Sequence, residues 1–185
     1  MFTDPLDALL FFSVTTPLVG WIGYQIGHVK IRELYAIAGL IVSALLLVGL
    51  SNDVQKSGVI IVIIKSFSPP LGVCLTVDSL GIFMAAVYVL LATAAAIFST
   101  RYMEHDTGLT EYYTLLLVMV AGMIGVVFAG DFFTLFVFWE LMCISSYVLV
   151  AFRKQRWEPV EAGFKYLVMS ASGTATILFA MSILY

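Results

Sequence analysis

Charge is scarce in this sequence. Only 11% of its 185 residues are charged and 62% are apolar, with nine Lys or Arg against twelve Asp or Glu, whereas a soluble domain carries about 25% charged residues. So few polar side chains cannot cover a surface facing water, which excludes a water-soluble globule: lipid must replace water around most of the chain. Basic runs are also lacking. Beyond Arg153, Lys154 and Arg156 no cationic cluster occurs, and the formal charge is -3, which excludes a nucleic-acid partner. Two cysteines, Cys74 and Cys143, are too few for a disulfide framework or an iron–sulfur site and read as unpaired small hydrophobes. The two histidines, His28 and His105, sit in polar connections without a second ligand at metal spacing, so neither a metal nor a cofactor is expected. The first seven residues hold Asp4 and Asp7 and no Lys or Arg, the wrong sign for a secretory signal; the first apolar segment is expected to be retained.

What the sequence has instead is long apolar runs. A span of the bilayer core takes about 20 apolar residues at a rise of about 1.5 Å each. Six segments satisfy this: 6–26, 34–50, 80–100, 112–129, 132–152 and 162–185. All six are expected to be helices, because helices satisfy their own backbone in lipid, giving an all-α membrane protein with one membrane domain over 1–185. The connections are short except for 52–79. That stretch contains the β-branched run 59–64, then Lys65, Pro69 and Pro70, then a second extended stretch, 73–77. A β-hairpin on the membrane surface between the second and third helices fits this pattern, with a re-entrant loop as the alternative. Lys30, Arg32, Arg101, Arg153, Lys154 and Arg156 fall in loops on one side, Lys56 and Lys65 on the other. Basic loops stay cytoplasmic, so both termini and the hairpin are expected to be extracytoplasmic, in a multi-pass protein of the cell membrane.

Ionisable residues inside spans are costly, about 2.5–3.5 kcal/mol at a helix centre on the mildest scale, and therefore informative. Glu140 lies near the middle of the fifth segment. Phe133, Phe136, Cys143, Ile144 and Tyr147 share its face and supply no cation, so its partner is another helix or a proton. Lys165 lies near the start of the sixth segment, four residues after Glu161 in the favourable orientation for a helical ion pair. Glu161, Lys165, Ser172 and Thr176 make one polar stripe that should face the interior of a bundle. Asp131 and Asp78 read as helix N-caps, and Gly122 with Gly125 as a site of close helix packing.

The stretch GDFFTLFVFWELMCISSYVLVAF (130–152), followed by EAGFKYLVMSASGTATILF from Glu161, resembles the antiporter-like subunits of respiratory complex I, of membrane-bound hydrogenase-type complexes and of multi-subunit cation/proton antiporters. Pro69-Pro70-Leu71-Gly72, the VDSL preceding the third span and the Tyr112-Tyr113 pair support the match. The resemblance implies that Glu140 occupies the position of the family's fifth-helix glutamate, an element of its proton channel, and that Lys165 matches a sixth-helix lysine near the cytoplasmic side. It implies a subunit of thirteen or fourteen helices, of which this chain holds the first part, either as a fragment or as a split subunit completed by a separate chain supplying helix seven onward.

Three functions are consistent with these residues. The first is a proton-translocating membrane subunit of a redox-driven complex, working with other membrane subunits and holding no catalytic cofactor of its own. In it Glu140 changes protonation as lysine charges move nearer or farther. The second is a component of a cation/proton antiporter without redox chemistry, and the third a non-conducting helix bundle.

Overall fold

A computed structural model of the protein describes residues 29–63, 73–104 and 106–184. In chain order these form α1 (Val29–Ser57), β1 (Ile60–Ile63), β2 (Cys74–Val77), α2 (Ser79–Tyr102), α3 (Leu109–Phe128), α4 (Phe132–Val150) and α5 (Trp157–Leu184). Among the described residues five helices are long and apolar enough to cross a membrane. The first expected span, 6–26, lies outside the described residues, as do His28, Lys65, Pro69, Pro70 and His105.

Helix bounds differ most from expectation where polar residues flank an apolar run. α1 begins five residues before the expected span and ends seven after it, continuing through Asn52, Asp53 and Gln55. A helix need not stop where its apolar run stops, because each residue added keeps one more backbone bond satisfied. α5 starts at Trp157 rather than 162 because Pro159 falls in its first turn, where no backbone N–H is needed, and Glu158 suits the positive helix end.

Short connections make α2 to α5 successively antiparallel and divide the molecule into two ends. At one end lie the paired strands, Asp78 and the turn 129–131; at the other lie 103–104, 106–108 and 151–156. α1 contributes a stripe of Ala36, Leu40, Ser43, Leu47, Leu50 and Val54, spaced alternately four and three residues apart and buried throughout. That spacing is the seam of a left-handed helix pair, and it meets small residues of α2, among them Ala85, Ala92 and Ala96. α3 is the centre of the bundle, with Tyr113, Leu117, Val120 and Ile124 buried.

The α3–α4 contact is made at backbone distance. A Cβ on Gly122 would lie 2.8 Å from the Met142 nitrogen, and one on Gly125 would overlap the Phe138 ring. The expected close packing at these two glycines is present.

The strands pair antiparallel from Ile60 with Val77 to Ile63 with Cys74. Leu75 and Val77 are buried while Ile61 is exposed, the two-faced pattern of a half-buried ribbon. The buried face rests on the bundle end, where Leu75 bridges Ala129.

Candidate functional site

Both helices that begin at the hairpin end are capped by aspartate. Asp78 Oδ1 accepts from the Gly81 N–H at 2.7 Å, and Asp131 Oδ1 accepts from the Thr134 N–H at 2.8 Å. The expected caps are present, and Asp131 does more than cap. Its Oδ2 accepts from the Thr134 hydroxyl at 2.6 Å and from the Cys74 N–H at 3.0 Å, while the Gly130 N–H donates to the Cys74 carbonyl at 2.9 Å. One carboxylate thus fixes the start of α4 and ties β2 to it. A Cβ on Gly130 would come within 2.8 Å of Cys74 Sγ, so glycine is required for this approach.

That anchor sets the depth of Glu140. Eight residues from the start of α4 and ten from its end, it lies about 12 Å and about 15 Å from the two ends by helical rise. The side chain is half-buried, yet its Oε1 is fully enclosed and accepts no hydrogen bond among the described residues. A buried carboxyl oxygen without a donor costs several kcal/mol as a charge, less as a neutral acid. Three residues on, Cys143 is a buried free thiol.

Lower on the same face, α4 meets α5. Tyr147 and Tyr166 pack edge to face with centroids 6.5 Å apart, the Ser146 hydroxyl donates to Tyr166 Oη at 3.0 Å, and Gly163 admits Ala151, whose Cβ would be 2.6 Å from a Gly163 Cβ. Lys165, beside Tyr166, pairs instead with Glu161 at 2.7 Å, and both side chains are exposed. It sits about 12 Å from the start of α5, two turns in rather than one, because the helix begins earlier than expected. Among the described residues no ion pair joins Glu140 to Lys165. Farther along the stripe, the Thr176 hydroxyl donates to the Ser172 carbonyl at 3.0 Å, and both residues are exposed.

The opposite end holds a cluster that sequence reading missed. Arg153 donates to Asp106 Oδ2 from Nη2 at 2.7 Å and from Nε at 3.1 Å, and lies 5.2 Å from the centroid of the Tyr102 ring. Its pKa is pushed up, first by the hydrogen bond to Asp106 and then by Tyr102, so it is a permanent cation. The contact joins the loop after α4 to the loop before α3. No sequence signal pairs two residues 47 positions apart in separate loops.

Two family models match the chain. One, described as NADH:quinone oxidoreductase/Mrp antiporter, transmembrane, covers residues 129–185; the other, described as NADH-ubiquinone oxidoreductase (complex I), chain 5 N-terminus, covers residues 64–113. The chain belongs to the complex I/Mrp antiporter family of membrane subunits. Within that family it is 34% identical over 110 residues to an NADH-quinone oxidoreductase subunit of Desulforamulus reducens, covering 59% of this chain and 23% of that protein. To an Na(+)/H(+) antiporter subunit of Alkalihalophilus pseudofirmus it is 28% identical over 151 residues, covering 80% of this chain and 30% of that protein. A chain in the structure of the Mrp complex from Dietzia sp. has the same fold, with a TM-score of 0.81 over 98% of this chain and 35% of that one, at 22% identity. The chain therefore spans about a quarter to a third of the length of these proteins. The resemblance in the sequence and the antiporter-like membrane fold are both borne out.

Proposed function

We propose that the chain is the proton-translocating, antiporter-like part of a redox-driven membrane complex, with Glu140 as its protonatable group. The observation that carries this reading is the enclosed Oε1 of Glu140, which meets no donor among the described residues, near the middle of a membrane helix. A carboxyl held for packing would be supplied with donors; one held for proton exchange needs room for a proton or a water. Lys165 is a feeder on the basic side, exchanging between Glu161 and the site as its charge moves. The likeness to a quinone oxidoreductase subunit supports the redox-driven setting. A cation/proton antiporter is the second reading, favoured by the likeness to an Na(+)/H(+) antiporter subunit. It uses the same residues without redox chemistry.

The 1–185 stretch acts as one membrane domain completed from outside itself. Lipid does not solvate an ion pair such as Glu161–Lys165, so partner helices, from other subunits or from a chain supplying helix seven onward, cover the stripe of α5. The basic end faces the cytoplasm; the hairpin and both termini face outward. Cysteines placed at Lys154 and Ser57 read this: an impermeant thiol reagent on intact cells should label position 57 only, and labelling of position 154 alone inverts the topology.

Proton or cation uptake into vesicles holding the assembled complex, normalised to turnover, tests the site. Glu140→Gln should assemble and lose most translocation, and Lys165→Ala should lose less. Uptake by Glu140→Gln equal to wild type leaves Glu140 as a packing residue.

A further inference from the structure

A cleft of about 1250 Å³ opens at the basic end, between the first halves of α3 and α5 and across the last turn of α4. Its two long walls, α3 and α5, both pack on α4. Leu115, Val148, Phe164 and Leu167 line its depth, and Lys154, Gln155 and Arg156 line its rim. The rim lies at a definable depth. Trp157, the first residue of α5, is 74% exposed, and an exposed tryptophan at the end of a membrane helix sits at the headgroup level. Leu167, ten residues on, lies about 15 Å deeper. The cleft is therefore amphipathic along the bilayer normal, cationic at headgroup depth and apolar at acyl-chain depth.

Charge selects the occupant. Five charged residues line the cleft, and Asp106 is committed to Arg153. Lys154 and Arg156 are exposed and form no ion pair among the described residues. They stand on the α4–α5 connection, across the cleft from Glu111 in the first turn of α3, where a carboxylate suits the positive helix end. Two unpaired cations above an apolar trough match a phosphodiester carrying acyl chains.

We infer that this cleft binds an anionic phospholipid, its phosphate held by Lys154 and Arg156 and an acyl chain lying between Leu115 on α3 and Phe164 and Leu167 on α5. The lipid fills the cleft between α3 and α5 and holds the start of α5 against α4. This site is independent of proton movement at Glu140.

Phe164→Trp, in a chain whose Trp21, Trp139 and Trp157 are replaced by phenylalanine, reports from the acyl-chain depth of the cleft. The full chain in neutral detergent is titrated with phosphatidylglycerol or phosphatidylcholine brominated on the acyl chains, and quenching is followed. Phosphatidylglycerol should quench at a mole fraction about 25-fold lower than phosphatidylcholine, and Lys154→Gln and Arg156→Gln should each reduce that preference about fivefold. Gln155→Lys should increase it. Equal quenching by the two lipids overturns the inference, as does a preference that survives in the double variant. Absence of quenching by either lipid means that a protein segment fills the cleft, and loss of the preference on adding soluble glycerol phosphate means that the site reads a free phosphoester; either result also overturns it.

Discussion

α3 and α5 are neighbours of the same helix and differ in almost every other respect. Half of the α3 apolar window is buried within the chain, against 6% for α5. α3 reaches this by omission of side chains: Gly122 and Gly125 let α4 approach to the backbone, so its long apolar residues meet protein on several sides. α5 has one such point, Gly163 against Ala151, whereas nothing lies within 4 Å of where a Cβ on Gly173 would be. The difference is not one of hydrophobicity, since both qualify as spans. It lies in where each helix finds its contacts: α3 finds them among the described residues, whereas α5 turns its charged pair and hydroxyls outward.

The largest test of that contrast replaces one glycine in each helix. Gly125→Leu drives a side chain into the Phe138 ring and should cost about 3 kcal/mol or more of stability, read as loss of the folded chain in a mixed-micelle denaturation series. Gly173→Leu should change the same transition by less than about 0.5 kcal/mol while lowering recovery of the assembled complex. Equal destabilisation by the two would mean that α5 is packed within the chain and that the contrast is wrong.

A smaller effect separates the two ends of the bundle. Asp131→Ala removes an N-cap, worth about 1 kcal/mol, and leaves the Cys74 N–H with only the longer contact to the Thr134 hydroxyl. The expected loss is about 2 kcal/mol, together with faster amide exchange across Cys74–Val77. Exchange in the hairpin unchanged from wild type would show that β2 is held by Leu75 and Val77 alone.

Much of this architecture was legible in the residues, and for identifiable reasons. Apolar runs, aspartate caps and close-packed glycines are local signals: Asp78 needs only Gly81, and a helix needs only its own backbone. The strand pairing followed from a β-branched run, 59–64, and a second extended stretch, 73–77, on either side of Pro69 and Pro70. What stayed hidden is non-local. That Asp131 also anchors Cys74, that Arg153 reaches Asp106 and Tyr102, and that Tyr166 rather than Lys165 meets the Glu140-bearing helix all depend on which loops and faces come together. The polar extensions of α1 and the early start of α5 were hidden for a different reason: the hydrophobic ruler measures the bilayer, and the helices continue past it.

If Glu140 exchanges a proton during turnover, infrared difference spectroscopy of the assembled, working complex can see the exchange itself. A protonated carboxyl has a C=O stretch that a carboxylate lacks, and a glutamate-specific isotope label shifts it. Proton exchange at Glu140 should give a labelled carboxyl band that changes between resting and working states and is absent from Glu140→Gln. A wild-type difference spectrum identical to that of Glu140→Gln would mean the opposite: the carboxyl holds one protonation state throughout the cycle and carries no proton.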